Sequence, residues 1–182
     1  FLWIFRATDH EEGYFDGPIY CEITTSHDGV NWFRQEGDRP ASLDVGPKGA
    51  WDAGMVFSAT QPIVVDGEMW LYYGGVEGEH AGRTPWNGGI GLAKLRKDGF
   101  ASLDARGETG TVTTKRLASA RGPLRVNAAA ADGSVRVEVL TADGGPIPGY
   151  TREDCVPITG DHIDAQVTWK SQNELPQRGP VR

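Results

Sequence analysis

Several short segments place an aromatic ring or an imidazole beside a carboxylate. Trp51 directly precedes Asp52, Glu77 lies three residues before His80, Asp9-His10-Glu11 is a contiguous triplet, and Trp86 follows a proline. An indole offers a broad apolar face and one N–H donor. A carboxylate accepts hydrogen bonds from hydroxyls, or moves a proton when its environment tunes its pKa. Asp52 and Glu77 are the candidate catalytic carboxylates, and Trp51, His80, Trp86, Asp9, His10 and Glu11 the candidate substrate contacts. Each residue also has a plainer use. Asp52 can cap a turn before Gly54, and Trp51 can close a gap between sheets. Glu77, His80 and the 9–11 triplet can be solvated loop residues, and Trp86 a loop anchor. Both uses stand at the level of sequence.

Other chemistries find less support. Cys21 and Cys155 form no CxxC and no zinc pattern with the four histidines; the alternatives are a disulfide and two buried free thiols, of which the second is favoured. His162 beside Asp161 and Asp164 lies in one short loop that lacks a full set of oxygen ligands, so no metal site is expected. Gly88-Gly89-Ile90-Gly91 is followed by neither Lys-Ser/Thr nor a helix start, and is not a phosphate loop. No cofactor is implied. The net charge is −7, with 13 Arg and 5 Lys dispersed, which disfavours nucleic acid and anionic membrane as partners. No run approaches the roughly 18 apolar residues of a membrane helix, and no signal peptide is visible.

The elements that must position these groups read as β-structure. Long stretches of helical period are missing. Leu124, Val126 and Ala128, and then Val135, Val137 and Val139, alternate with polar residues at period 2, as half-buried strands require. Six Asp-Gly pairs, at 16–17, 28–29, 66–67, 98–99, 132–133 and 143–144, suit hairpin turns. An imperfect repeat sets Trp3-Ile4-Phe5-Arg6 against Trp70-Leu71-Tyr72-Tyr73, with Trp3 and Trp70 67 residues apart and Asp28 and Asp98 70 apart. That period, with four strands per unit, fits propeller blades with long loops. It gives strands at 61–65, 68–74, 89–95 and about 100–103. It also puts the Asp-Gly turns at 28–29, 66–67 and 98–99 at one end of the strands, and loops 7–18, 35–54 and 75–88 at the other. Of 17 aromatic residues, 15 lie within 1–104, which argues for two domains. The reading is an all-β chain with a partial β-propeller of about one and a half blades over 1–104 and a small β-sandwich over 105–182.

Trp51-Asp52-Ala53-Gly54-Met55-Val56, the run from Gln61 to Gly75, and Gly91-Leu92-Ala93 leading to Arg96–Leu103 resemble the five-bladed β-propeller glycosidases, the clan that includes glycoside hydrolase family 32. Leu124–Asn127, Gly149-Tyr150, Asp154-Cys155, Gly160-Asp161 and Val167-Thr168-Trp169 resemble the C-terminal sandwich of bacterial proteins of this type. Ser26-His27-Asp28-Gly29-Val30-Asn31-Trp32 resembles a shortened sialidase-type Asp box, with Asp28 capping its own turn, Trp32 packed beneath the hairpin and His27 exposed and inert. The resemblance implies a fragment of a glycoside hydrolase acting on a glycoside or polysaccharide, with two carboxyl groups flanking the scissile bond. The Asn-Asp-Pro, Arg-Asp-Pro and Glu-Cys patterns of fructosidases are not found, so fructan-type chemistry does not carry over. The alternatives are a non-catalytic carbohydrate-binding or sialidase-like propeller, and a purely structural β module. Carbohydrate is the expected partner, together with self-association through exposed sheet edges. If the parent protein degrades polysaccharide, the expected location is extracellular or periplasmic.

Overall fold

The computed structural model describes residues 1–11, 14–34, 40–81, 87–118, 121–177 and 181, with the backbone alone at 9–11 and 14. All regular structure among them is β, in several sheets with no helix and no closed barrel. The chain divides into two compact units, Phe1–Phe100 and Ala101–Arg182.

The first unit is built on a six-stranded sheet. In chain order its strands are β1 (Leu2–Phe5), β4 (Ile19–Glu22), β7 (Met55–Ser58), β8 (Ile63–Val65), β9 (Glu68–Val76) and β10 (Gly88–Arg96). Two small hairpins accompany it, β2 (Asp9–Glu11) with β3 (Tyr14–Asp16), and β5 (Thr24–Thr25) with β6 (Phe33–Arg34). Across the main sheet the order is β1-β4-β7-β9-β10, with β8 on the same edge of β9 as β7. Asp66 and Gly67, at φ 48° and 82°, close the β8–β9 hairpin in the left-handed conformation that an Asp-Gly turn tolerates. The two parts of the sequence repeat each form an antiparallel pair, β1 with β4 and β9 with β10. A parallel pairing at Ile19–Met55 joins them into one sheet.

The register decides where the loops go. Phe5 pairs with Ile19, Ile19 with Met55, Met55 with Val76 and Val76 with Gly88. The segments after Phe5, before Met55 and after Val76 therefore all leave from one end of the sheet. The turns at 66–67 and 98–99 lie at the opposite end, where Val65, Glu68 and Arg96 pair. Along β9 the odd residues face inward. Met69 and Leu71 are buried, while Tyr72 is exposed. Tyr20, Cys21 and Val56 form the buried cluster, and Ile4, Leu43, Val45 and Tyr73 pack against it.

Three local expectations change. Residues 100–103 form no strand. Asp28 does cap its turn, accepting from the backbone N–H of Val30 and Asn31 at 2.9 and 2.7 Å, but Trp32 is 61% exposed rather than packed beneath the hairpin. The local capping bonds close the loop without any need for the indole. Asp132-Gly133 makes no hairpin turn. It lies inside β11 (Arg125–Val135), where the pairing with β12 (Ile158–Gln166) jumps between Ala130 and Val135, so the pair is absorbed in a bulge.

In the second unit β11 and β12 form the one named ladder among the described residues, supplemented by isolated bridges such as Leu117–Val181 and Cys155–Trp169. Its core gathers Val139, Ile147, Tyr150, Cys155, Ile158, Val167, Trp169 and Val181. Val135 and Val137 pack onto it, so the alternating run faces inward even though most of it lies outside a ladder. The two aromatic residues of this unit meet edge to face, with centroids 5.0 Å apart. The Trp169 indole N–H donates to the Val137 carbonyl at 3.0 Å, which satisfies a polar group the core would otherwise strand. Cys21 and Cys155 are both buried and unpaired, as expected from their spacing.

Candidate functional site

Trp51, Asp52, Glu77 and His80 gather where the register sends the long loops. Gly54 N–H donates to the Val76 carbonyl at 3.0 Å, Ile19 N–H to the Gly54 carbonyl at 3.2 Å, and Glu77 N–H to the Asn87 carbonyl at 3.1 Å. These bonds lock the segment carrying Trp51 and Asp52 beside the segment carrying Glu77.

Trp51 lies across a floor of glycines. Gly75 and Gly89 are direct partners in the β9–β10 pairing, as are Tyr73 and Gly91. A Cβ at Gly75 would fall 2.7 Å from the Trp51 ring and 2.6 Å from the Asp52 Cβ; one at Gly89 would fall 3.1 Å from the indole; one at Gly91 would strike the Tyr73 ring. No side chain larger than hydrogen fits under these rings. Gly75, Gly89 and Gly91 thus serve ring placement. Trp51 stacks with Tyr73, centroids 5.7 Å apart and planes at 21°, and remains 41% exposed. The Tyr73 hydroxyl donates to Asp52 Oδ2 at 2.9 Å, while Asp52 Oδ1 lies against Gly46. Burial, and then the Asp52 carboxylate, push the Tyr73 pKa above its ordinary value. Both act against the phenolate.

Glu77 and His80 occupy the adjoining loop, and both are exposed. His80 is held by its neighbours. Its ring lies 4.7 Å from that of Phe5, its Nδ1 is 3.4 Å from the Phe15 carbonyl, and its backbone N–H donates to the Gly17 carbonyl at 3.2 Å. Next to it, Ala81 N–H donates to Asp16 Oδ1 at 3.0 Å. The loop after β9 and the loop after β1 are therefore clasped together. The backbone of Asp9-His10-Glu11 forms β2 in that second loop. The side chains of Asp9, His10 and Glu11, and the whole of Trp86, lie outside the described residues. So Trp51, Asp52, Glu77 and His80 come to one end of one sheet.

Sequence reasoning missed two groups. Tyr73 was legible only as part of a strand; its proximity to Asp52 depends on β7 pairing beside β9. Glu22 is 4% exposed and accepts from Arg34 Nε and Nη2 at 2.9 and 2.6 Å, with the Tyr20 hydroxyl 3.4 Å away. This buried carboxylate is committed to an ion pair with the exposed Arg34.

Among the described residues, no cluster of three or more His, Cys, Asp or Glu could hold a metal ion. His162 Nε2 instead sits 2.8 Å from the Thr159 carbonyl. A cavity of about 90 Å³ in the first unit, lined by Phe1, Leu43, Leu71 and Phe100 among others, contains none of the candidate residues. No family model, curated protein or solved structure matches the chain.

Proposed function

We propose that this chain forms part of a carbohydrate-acting protein of the five-bladed β-propeller glycosidase kind, and that the end of the sheet bearing Trp51 is a carbohydrate-contacting wall. In this reading the β1–β4 and β9–β10 pairs belong to consecutive partial blades, hydrogen-bonded into one sheet through Ile19 and Met55, and the second unit is a small accessory sandwich. The recurrence of the two pairs at one spacing, with long loops at one end, supports that reading. The observation that carries the functional part is Trp51 itself: a half-exposed indole fixed on glycine, stacked on Tyr73, with a carboxylate beside it. A sugar ring offers the complementary C–H face and edge hydroxyls. Asp52 and Glu77 are the carboxylates of this wall, and His80 orders the loop that bears Glu77.

The second reading, carbohydrate binding without hydrolysis, draws on one specific feature. Asp52 Oδ2 already accepts from the Tyr73 hydroxyl, which favours recognition over proton transfer. Two assays on the same protein separate the readings. Affinity electrophoresis in gels containing neutral polysaccharides should show retardation that Trp51→Ala reduces about tenfold or more. Release of reducing ends that disappears in both Asp52→Asn and Glu77→Gln marks an enzyme; retardation without release marks a binding wall. Unretarded migration in every gel contradicts both.

β1 and β10 end the sheet order, and Leu2, Trp3 and Phe5 on β1 are exposed. These features support self-association through an edge. Light scattering showing a monomer at all concentrations counts against it.

A further inference from the structure

We propose that Tyr73 is the positioning residue that makes Trp51 and Asp52 a single recognition unit, reading the C–H face of one sugar ring together with one hydroxyl at that ring's edge. This inference rests on the carbohydrate reading above and specifies how the site selects its ligand.

Two contacts of one side chain carry it. The Tyr73 ring stacks against Trp51 with planes at 21°, and its hydroxyl donates to Asp52 Oδ2 at 2.9 Å. Tyr73 is itself fixed from beneath, because Gly91 leaves no room for the ring to sink or tilt, and from the side by the Tyr20, Cys21 and Val56 cluster. The tyrosine thus couples an apolar platform to a polar acceptor through a rigid body. With Oδ2 accepting from Tyr73 and Oδ1 close to Gly46, the remaining lone pairs of the carboxylate are left to accept from a ligand hydroxyl at the edge of the stacked ring. A ligand must then satisfy stacking and one hydroxyl together. That predicts coupled, non-additive effects of Trp51 and Asp52 substitutions.

The test compares wild type with Tyr73→Phe and Tyr73→Leu, each first shown to unfold cooperatively in urea. Tyr73→Phe keeps the stack and removes the hydroxyl; Tyr73→Leu removes both. In the ligand arm the probes are cellohexaose, xylohexaose and arabinohexaose, then the methyl glycoside of the best binder and its monodeoxy analogues. Wild type should prefer the glycoside to one deoxy analogue by about tenfold, the order expected of a hydrogen bond to a charged group. Tyr73→Phe should cut that preference to about twofold while retaining stacking-dependent binding. Asp52→Asn should then add little in the Tyr73→Phe background. Full discrimination in Tyr73→Phe, or a full additional loss from Asp52→Asn there, overturns the inference while leaving the carbohydrate reading intact. In the ligand-free arm, the Trp51 indole N–H resonance of ¹⁵N-labelled protein should keep its position in Tyr73→Phe and shift toward the random-coil value in Tyr73→Leu. An unmoved resonance in Tyr73→Leu also overturns the inference. Failure of every probe to bind wild type overturns the carbohydrate reading and the selectivity built on it; the ligand-free arm then decides separately whether Tyr73 positions Trp51.

Discussion

The Tyr73 hydroxyl lies 2.9 Å from Asp52 Oδ2, a contact between residues 21 positions apart made possible by the pairing of β7 with β9. The phenol is partly buried and donates to a carboxylate. Both circumstances act against the phenolate.

That arrangement sets a pH dependence. The Tyr73 pKa lies above its ordinary value of 10.0. A raised folded-state pKa contributes stability that is complete below the unfolded value and is lost as pH rises through the folded one. Spectrophotometric titration near 295 nm, taken as the difference between wild type and Tyr73→Phe, should place the Tyr73 midpoint above 10. Asp52→Asn should lower that midpoint only part of the way, because burial is the larger cause. A midpoint at or below 10 in the wild type would contradict the geometry.

Adjacent glycines on β9 should behave oppositely. A Cβ at Gly75 would overlap Trp51 and Asp52, whereas one at Gly74 meets nothing within 4 Å. Gly75→Ala should destabilise the protein by about 1–3 kcal/mol, the usual cost of overpacking. Gly74→Ala should be neutral or slightly stabilising. Urea midpoints measured side by side decide this, and equal midpoints would remove the glycine floor from the account.

The Glu22–Arg34 pair is the structural counterpart to the exposed carboxylates. Glu22 is buried and Arg34 exposed, with N–O distances of 2.9 and 2.6 Å. Removing the cation strands a buried charge, which costs about 3–5 kcal/mol when both partners are sealed from water. Arg34 is partly wet, so Arg34→Met should cost about 1–3 kcal/mol. Adding Glu22→Gln should return part of it. A loss under 0.5 kcal/mol in Arg34→Met would show that the pair holds nothing.

Asp28 makes a different claim. Its carboxylate accepts from Val30, Asn31 and Ser26, and hydrogen bonds to the Asn31 backbone, above all, hold its pKa far below the usual carboxylate range. A depressed pKa contributes stability above the unfolded value of 3.8 that is lost only as pH falls through the folded one. The Val30 and Asn31 amides should therefore remain protected from exchange at pH 4 in wild type, and exchange fast in Asp28→Ala. Equal protection in both proteins would mean that the turn closes without its cap.

The legible parts of this chain were those governed by local rules. Asp66-Gly67 marks a hairpin because its φ values select those residue types, and Val135, Val137 and Val139 declare an inward face by alternation alone. Tyr150 and Trp169 stood out by composition and form the heart of the second core. What escaped depends on pairing between distant segments. Tyr20-Cys21-Glu22 reads as an ordinary strand, yet every residue of β4 is buried, because β1 and β7 flank it and Leu43 pairs with Cys21. Trp32 misled because an aromatic near a turn suggests packing, while the Asp28 cap makes packing unnecessary. Asp52 was visible, but its partner was not.

The most direct test of the central claim follows the Trp51 indole N–H resonance of the intact chain during titration with neutral hexasaccharides, with Trp51→Ala supplying the assignment. A carbohydrate wall predicts a saturable shift of that resonance, and binding about tenfold or more weaker in Trp51→Ala. Binding that leaves the Trp51 resonance unmoved, or no binding by any hexasaccharide, would contradict it.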